Sequence, residues 1–96
     1  MKLLFSPLAR EDLRSIIRFI ASERPITARK VLDRRTATCR LIAKHPKLGQ
    51  RRFEYSDDYR SFTVERWVIL YEVFAETVEI HRVLDAARDI EPFAGQ

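Results

Sequence analysis

The hydrophobic repeat of this chain changes near residue 50, from the spacing of helices to the spacing of strands. Before residue 50, apolar residues recur every three or four positions, as at Ala9, Leu13 and Ile16, which is one face of an α-helix. After residue 50, apolar residues alternate with polar ones or form short continuous runs, as they do in strands. A helical half followed by consecutive strands predicts an α+β domain.

Two helices are predicted in the first half of the chain. Ser6 can cap the first helix, and Pro7 suits its first position because the φ angle of proline is already close to helical. This helix should end near residues 22–24. Pro25 starts the second helix, which should stop at His45 because a residue before proline is disfavoured in the helical region. The short link between them predicts an antiparallel helical hairpin.

The residue patterns predict four strands, at residues 2–5, 60–64, 67–74 and 77–84. Residues 51–55 could add a further short strand. Because the last three strands are joined by links of two residues, we expect an antiparallel meander. The element order is β-α-α-β-β-β, with the helical hairpin packed on one side of a small, mostly antiparallel sheet. Residues 1–96 should form one domain, with a short flexible tail from near residue 91.

Basic charge is concentrated in the middle of the sequence. Residues 24–52 contain ten lysines and arginines and one aspartate, a net charge of +9, whereas residues 53–96 carry four basic and ten acidic residues, a net charge of −6. Such a segment is either a solvated helix face or a surface for an acidic partner, whether nucleic acid or acidic peptide. The pattern alone leaves both interpretations open.

Several kinds of site are not expected. His45 and His81 stand apart in the sequence and indicate no metal site, and the single cysteine, Cys39, cannot form an internal disulfide. With only Gly49 and Gly95, the chain lacks a glycine loop for phosphate. No run approaches the ~20 apolar residues of a membrane span. We therefore expect a cytoplasmic protein without cofactor, metal, membrane contact or small-molecule substrate.

Five ordered segments of the chain resemble the RelE/ParE toxin superfamily, and within it the ParE-type toxins. They are residues 5–13 (FSPLAREDL), 45–49 (HPKLG), 59–64 (YRSFTV), 67–71 (WVILY) and 80–89 (IHRVLDAARD). The chain departs from the family pattern in two places. Glu65 stands where the family often has a glycine, and Asp85 and Ala86 replace the first two residues of a common histidine-glycine-alanine-arginine-aspartate run.

The resemblance implies the toxin of a type II toxin–antitoxin system, with a cytoplasmic role in plasmid or chromosome stabilisation. A ParD-like antitoxin would neutralise it and would make the contact with DNA. ParE-type toxins poison DNA gyrase and are not enzymes, whereas RelE-type toxins cut messenger RNA on the ribosome. The alternatives are therefore a RelE-like endonuclease, or a degenerate toxin that keeps only antitoxin binding.

The residues themselves favour the non-enzymatic alternative. RNA cleavage needs a proton-transfer pair and cations around the phosphate. Arg60 and Arg82 could supply the cations, but His81 is expected on the strand face opposite Arg82. The resemblance also implies that a RelE-type nuclease would have a tyrosine or comparable polar group near its C-terminus, and residues 85–96 contain no tyrosine. We therefore assign no catalytic residue.

The contact residues follow from the resemblance and from the expected sheet. Target binding is assigned to Arg60, Arg82 and Arg88, and antitoxin binding to Arg29, Arg34, Arg35, Trp67, Ile69 and Tyr71. One sheet face should lie open, where an amphipathic acidic segment could bury apolar side chains and meet the basic helix. The structural alternative places the aromatic residues in the core and pairs Arg60 and Arg82 with Asp85 or Asp89.

Overall fold

The computed structural model describes residues 1–86, which form two helices and a five-stranded sheet. In chain order the elements are β1 (Lys2–Phe5), α1 (Pro7–Ala21), α2 (Pro25–Lys44), β2 (Gln50–Arg51), β3 (Tyr59–Val64), β4 (Trp67–Phe74) and β5 (Thr77–Asp85). This confirms the predicted α+β class and element order. The additional strand expected at 51–55 is only the two-residue β2, and the tail expected near residue 91 lies outside the described residues.

The helical hairpin begins at the predicted cap. Ser6 has an extended backbone, and its hydroxyl accepts a hydrogen bond from the Ala9 amide at 3.0 Å while Pro7 occupies the first helical turn. The same hydroxyl donates to the His81 carbonyl at 2.8 Å. Ser6 therefore both starts α1 and attaches its first turn to β5. Within residues 1–86, neither helix is long and apolar enough to cross a bilayer.

The sheet has the strand order β1-β5-β4-β3-β2. The predicted meander is confirmed, because β4 pairs antiparallel with both β3 and β5. β1 pairs parallel with β5, which requires the chain to cross over through the hairpin. At the β4–β5 turn, Ala75 and Glu76 both have positive φ angles of 47° and 59°, as a two-residue type I′ turn requires.

The helices cover one face of the sheet. The buried cluster combines Ala9, Ile16, Cys39 and Ile42 of the helices with Trp67, Ile69, Tyr71, Val78, Ile80 and Val83 of the sheet. The alternate residues of β4 point to the opposite side, which we call the outer face (Val68, Leu70, Glu72 and Phe74). Among these, Phe74 is 43% exposed and the others are partly buried. The covered face is therefore the core, and within residues 1–86 no helix packs on the outer face.

A β-bulge changes the expected alternation of β5. Tyr71 pairs with Ile80, but Leu70 pairs with Arg82, so that His81 is an extra residue in β5. Strict alternation along this segment of the sequence predicts that Val78, Ile80, Arg82 and Leu84 share one face. Instead, Val83 continues the buried row of Val78 and Ile80, and Arg82 comes into register with Leu70. The prediction that Arg82 shares the core face was wrong because one inserted residue reverses every later side chain.

Cys39 gives a pH-dependent contribution to stability. Its side chain is fully buried, and burial raises the pKa of its thiol to about 12 from 9.0. The unfolded chain loses this proton near pH 9 while the folded chain retains it, so we expect stability to fall as the pH rises from 9 towards 12. The slope from this thiol should approach about 1.4 kcal/mol per pH unit. Urea unfolding at several alkaline pH values measures it, and Cys39→Ala should show a shallower slope; equal slopes would contradict the assignment.

Candidate functional site

Arg82 is held at the part of β5 that extends beyond the end of β1. The Ser6 amide donates to the Ile80 carbonyl at 2.9 Å, after which the chain turns into α1. From α1, Asp12 accepts hydrogen bonds from Arg82 Nε at 2.8 Å and Arg82 Nη2 at 3.0 Å. It also accepts from the Val83 amide at 3.0 Å. The bidentate pair fixes the guanidinium plane, and the Arg82 side chain remains 32% exposed.

Among residues 1–86, Asp12 is an acidic partner of Arg82 that the sequence did not suggest. Asp85 is nearly buried and pairs with Arg66 at 3.0 Å. Asp89 and Arg88 lie outside the described residues. Asp12 was missed because it is separated from Arg82 by 70 residues. Only its place one helical turn inside α1, facing β5, brings the two together.

Arg60 is attached to a different part of the molecule. Its Nη1 donates to the Gly49 carbonyl at 2.7 Å. The Gly49 amide in turn donates to the Tyr71 hydroxyl at 2.8 Å, and that hydroxyl donates to the Pro46 carbonyl at 2.7 Å. Burial raises the pKa of the Tyr71 phenol, which keeps it protonated and able to donate. Arg60 and Tyr71 therefore hold the segment 45–49 against the sheet.

The three arginines assigned to antitoxin binding differ in accessibility. Arg29 and Arg34 are exposed on α2, and Arg29 pairs with Asp33 at 3.4 Å. Arg35 is only 3% exposed, and its Nε and Nη1 make no hydrogen bond to any residue among 1–86. Burial lowers the pKa of this guanidinium, which lies 5.3 Å from the Trp67 ring centroid. Arg35 thus packs over Trp67 and is not part of an accessible surface.

Trp67, Ile69 and Tyr71 also lie beneath the helices. Their exposed fractions are 4%, 0% and 0%, so a partner cannot touch these side chains without displacing the hairpin. The assignment to an accessible antitoxin contact is corrected by this burial. The physical reason is that alternation along β4 predicts that these three side chains share one face of the sheet. It does not predict which face the helices cover. The alternate residues Val68, Leu70 and Phe74 form the apolar part of the outer face.

The helical hairpin has an apolar groove of its own. Leu13 and Ile17 of α1 and Leu32 of α2 line a groove of about 330 Å³, bordered by Arg14 and Arg18. Both arginines pair with the exposed Glu11, at 3.3 and 2.8 Å. Further apolar side chains lie exposed near the hairpin turn, with Phe19 at 65% and Ile26 at 73%. Apolar surface beside arginines is suited to an amphipathic acidic segment.

A polar cluster on the outer face was not found from the sequence. His81 Nε2 lies 3.2 Å from Glu72 Oε1 and 3.3 Å from Glu79 Oε1. The Tyr59 ring meets the His81 ring edge-on, with centroids 5.1 Å apart. Burial, followed by the negative charge of Glu72, raises the pKa of the Tyr59 phenol. The sequence signal that could have found part of it is the spacing of Glu79 and His81, which places both on one strand face.

The same register corrects the expected relation of His81 and Arg82. The sequence placed them on opposite faces of β5, but the bulge turns both away from the core row. Arg82 is directed to Asp12, and His81 is directed to two carboxylates. Arg60 is held separately at Gly49. The described residues therefore bring together an acidic cluster with one imidazole, and they tie both candidate cations to the scaffold.

Comparisons with known proteins agree with this architecture. A family model described as the ParE toxin of the type II toxin–antitoxin system parDE matches residues 3–90. The chain is 30% identical over 78 residues to "Toxin RelE3" of Caulobacter vibrioides, covering 80% of this chain and 85% of that protein. It also resembles the solved structure "Chromosomal ParDE TA system from P. aeruginosa", with a TM-score of 0.73 and 20% identity. That match covers 86% of this chain and 92% of the other, and at this identity it shows a shared fold.

Proposed function

Because the chain belongs to the ParE toxin family of type II toxin–antitoxin systems, we propose that it inhibits DNA gyrase and is neutralised by a ParD-like antitoxin. The observation that carries the proposal is the family match over residues 3–90, which spans nearly the whole chain. The engagement of Arg60 with Gly49 and of Arg82 with Asp12 supports a binding role over catalysis. Inhibition by contact needs no group that transfers a proton.

The proposed gyrase contact is centred on Arg82. Its guanidinium is fixed by Asp12 and remains partly exposed at the rim of β5, so little side-chain entropy is lost when it binds. Arg88, six residues further along the chain, and Arg60 are the other proposed contacts. Arg60 acts mainly by holding the segment 45–49 in place.

The proposed antitoxin contact combines the hairpin groove with the basic surface of α2. An amphipathic segment would place apolar residues on Leu13, Ile17 and Leu32, and acidic residues near Arg29 and Arg34. The outer-face residues Val68, Leu70 and Phe74 replace the buried Trp67, Ile69 and Tyr71 as proposed contacts on the sheet. We propose that the antitoxin makes the contact with DNA and that the pair acts in the cytoplasm, where it stabilises a plasmid or chromosome.

A supercoiling assay with purified gyrase tests the function. Increasing amounts of the protein should inhibit supercoiling and trap cleaved DNA, and addition of the antitoxin encoded beside it should restore activity. Circular dichroism of the same sample confirms that it is folded. Unchanged supercoiling at a large molar excess of folded protein would reject gyrase as the target. Antitoxin binding that persists in such a sample would identify a degenerate toxin.

A second candidate, cleavage of messenger RNA, is favoured by one observation. The outer face brings His81 within 5.1 Å of Tyr59, between ring centroids, and within 3.3 Å of two carboxylates. These are groups able to transfer protons. In a translation extract this activity would appear as cuts within the translated message that are lost in His81→Gln. Intact message alongside inhibited gyrase would exclude it.

A further inference from the structure

Three side chains of metal-ligand type meet on the outer face, where β4 and β5 pair. Glu72, Glu79 and His81 each offer one ligand atom, and the three atoms lie within 4.8 Å of one another. Each of these side chains is about 30% exposed. The cluster is therefore open enough for an ion to enter and enclosed enough to hold it.

The two glutamates face each other directly across the strands. Glu72 and Glu79 are register partners, and like charges in that position destabilise a sheet. A cation between the carboxylates would offset this repulsion.

His81 has the arrangement of a ligand more than of a hydrogen-bond partner. Its Nε2 is inaccessible to solvent, yet it makes no hydrogen bond to any residue among 1–86. It lies 3.2 and 3.3 Å from the two carboxylate oxygens without the angles of a hydrogen bond. A buried ring nitrogen that makes no hydrogen bond is costly. A bound metal ion would satisfy it.

The separations match those between ligands of one metal ion. With bonds of about 2.0–2.2 Å and angles of about 90–110°, neighbouring ligand atoms lie about 2.8–3.6 Å apart. The two nitrogen–oxygen distances, 3.2 and 3.3 Å, fall in this range. We propose that Glu72, Glu79 and His81 form a binding site for a zinc-type divalent transition-metal ion on the outer face of the sheet. The three protein ligands leave a coordination position for water or for a side chain of a bound partner.

The ligand set also selects between metal ions. Imidazole nitrogen with two carboxylates suits Zn²⁺, Ni²⁺ and Co²⁺. Mg²⁺ prefers an octahedral shell of oxygen atoms and retains its waters, so it should bind this site much more weakly. No metal site was expected from the sequence, because His81 stands apart from His45 there. The cross-strand register of Glu72 with Glu79 supplies the missing ligand.

Isothermal titration of the chelator-treated protein with ZnCl₂ tests the site. We expect one Zn²⁺ per chain and a higher unfolding temperature in its presence, with no comparable effect of MgCl₂. His81→Gln should weaken Zn²⁺ binding by roughly 100-fold or more, since it removes the nitrogen ligand. The matched control is His45→Gln, because His45 is the other histidine of the chain and lies exposed after α2. It should leave binding unchanged.

Co²⁺ provides an independent readout, since its visible absorption reports the ligands directly. Binding to the native protein should give a spectrum that disappears in His81→Gln and weakens in Glu79→Gln. If His81→Gln is unfolded by circular dichroism, Glu79→Gln decides the outcome. Failure of Zn²⁺ to bind at one ion per chain, or binding as tight in His81→Gln as in the native protein, would overturn the proposal. The test measures no toxin activity, so it stands apart from the gyrase experiment.

Discussion

Replacing Asp12 with alanine is expected to lower the free energy of unfolding by about 3 kcal/mol. The Asp12 carboxylate accepts three hydrogen bonds, two from Arg82 and one from the Val83 amide. Its loss leaves a partly buried guanidinium without this counterion and leaves the Val83 amide without its acceptor. The Arg82 guanidinium and the Val83 amide would still be partly removed from water but would have lost this acceptor. The decrease in the free energy of unfolding should therefore exceed that for an ordinary surface ion pair.

Urea unfolding monitored by circular dichroism measures this effect. Arg82→Ala should cost less, about 1–2 kcal/mol, because Asp12 still accepts from the Val83 amide. Asp12→Asn should fall between the two, since its amide oxygen keeps one acceptor but loses the charge. A loss below about 0.5 kcal/mol for Asp12→Ala would show that the pair is not important for stability.

The comparison of these variants also separates the two roles proposed for Arg82. If Arg82 contacts gyrase, Arg82→Ala should relieve inhibition of gyrase while the protein stays folded. Arg82→Lys keeps the charge but loses the bidentate geometry, and it should retain part of the inhibition. Loss of folded structure in Arg82→Ala would instead mean that the role of Arg82 is structural.

Replacing Gly49 with alanine is the second change with a large expected effect, about 3 kcal/mol of destabilisation. A Cβ atom at Gly49 would lie 2.5 Å from the Tyr71 hydroxyl and 2.9 Å from the Ser61 carbonyl oxygen. Tyr71 is fully buried and cannot turn aside. The segment 45–49 would have to move outward, which breaks the hydrogen bonds of the Tyr71 hydroxyl to Gly49 and Pro46.

A double-mutant cycle with Tyr71→Phe tests this explanation. Tyr71→Phe alone should cost about 1–3 kcal/mol, because the Gly49 amide and the Pro46 carbonyl lose their partner. The double variant lacks the Tyr71 hydroxyl, which is the nearest obstructing atom. Gly49→Ala should therefore lower the free energy of unfolding clearly less in the Tyr71→Phe background than in the native protein. If the two costs simply add, the Tyr71 hydroxyl is not what excludes a side chain at residue 49.

The positions of the elements were predictable because the chain marks them locally. Ser6 and Pro7 start α1, Pro25 starts α2, and Pro46 follows the end of α2. The glycine that the family often has at residue 65 is also explained by local geometry. Glu65 has a φ angle of 55°, in the left-handed region that glycine enters without strain.

The candidate contacts were less predictable because they depend on which face is covered. Arg35 was assigned to antitoxin binding from the sequence, but its burial over Trp67 arises from docking of the helix on the sheet. Trp67, Ile69 and Tyr71 were correctly grouped on one face and placed on the wrong side of the sheet. Alternation has a period of two and is the same whichever face the helices choose.

The change of hydrophobic repeat near residue 50 determined the α+β class, the order of the elements and the helical hairpin, since these follow from side-chain spacing along a single segment. The tertiary structure decided which distant residues meet. Asp12 reaches Arg82, and Glu72 reaches Glu79 and His81, only through the docking of α1 and the register of β4 with β5. The turn at Ala75 and Glu76 sets the pairing of Glu72 with Glu79, and the bulge at His81 shifts the pairing of every later residue of β5. The hydrophobic repeat of an isolated strand does not specify its partner or its bulges.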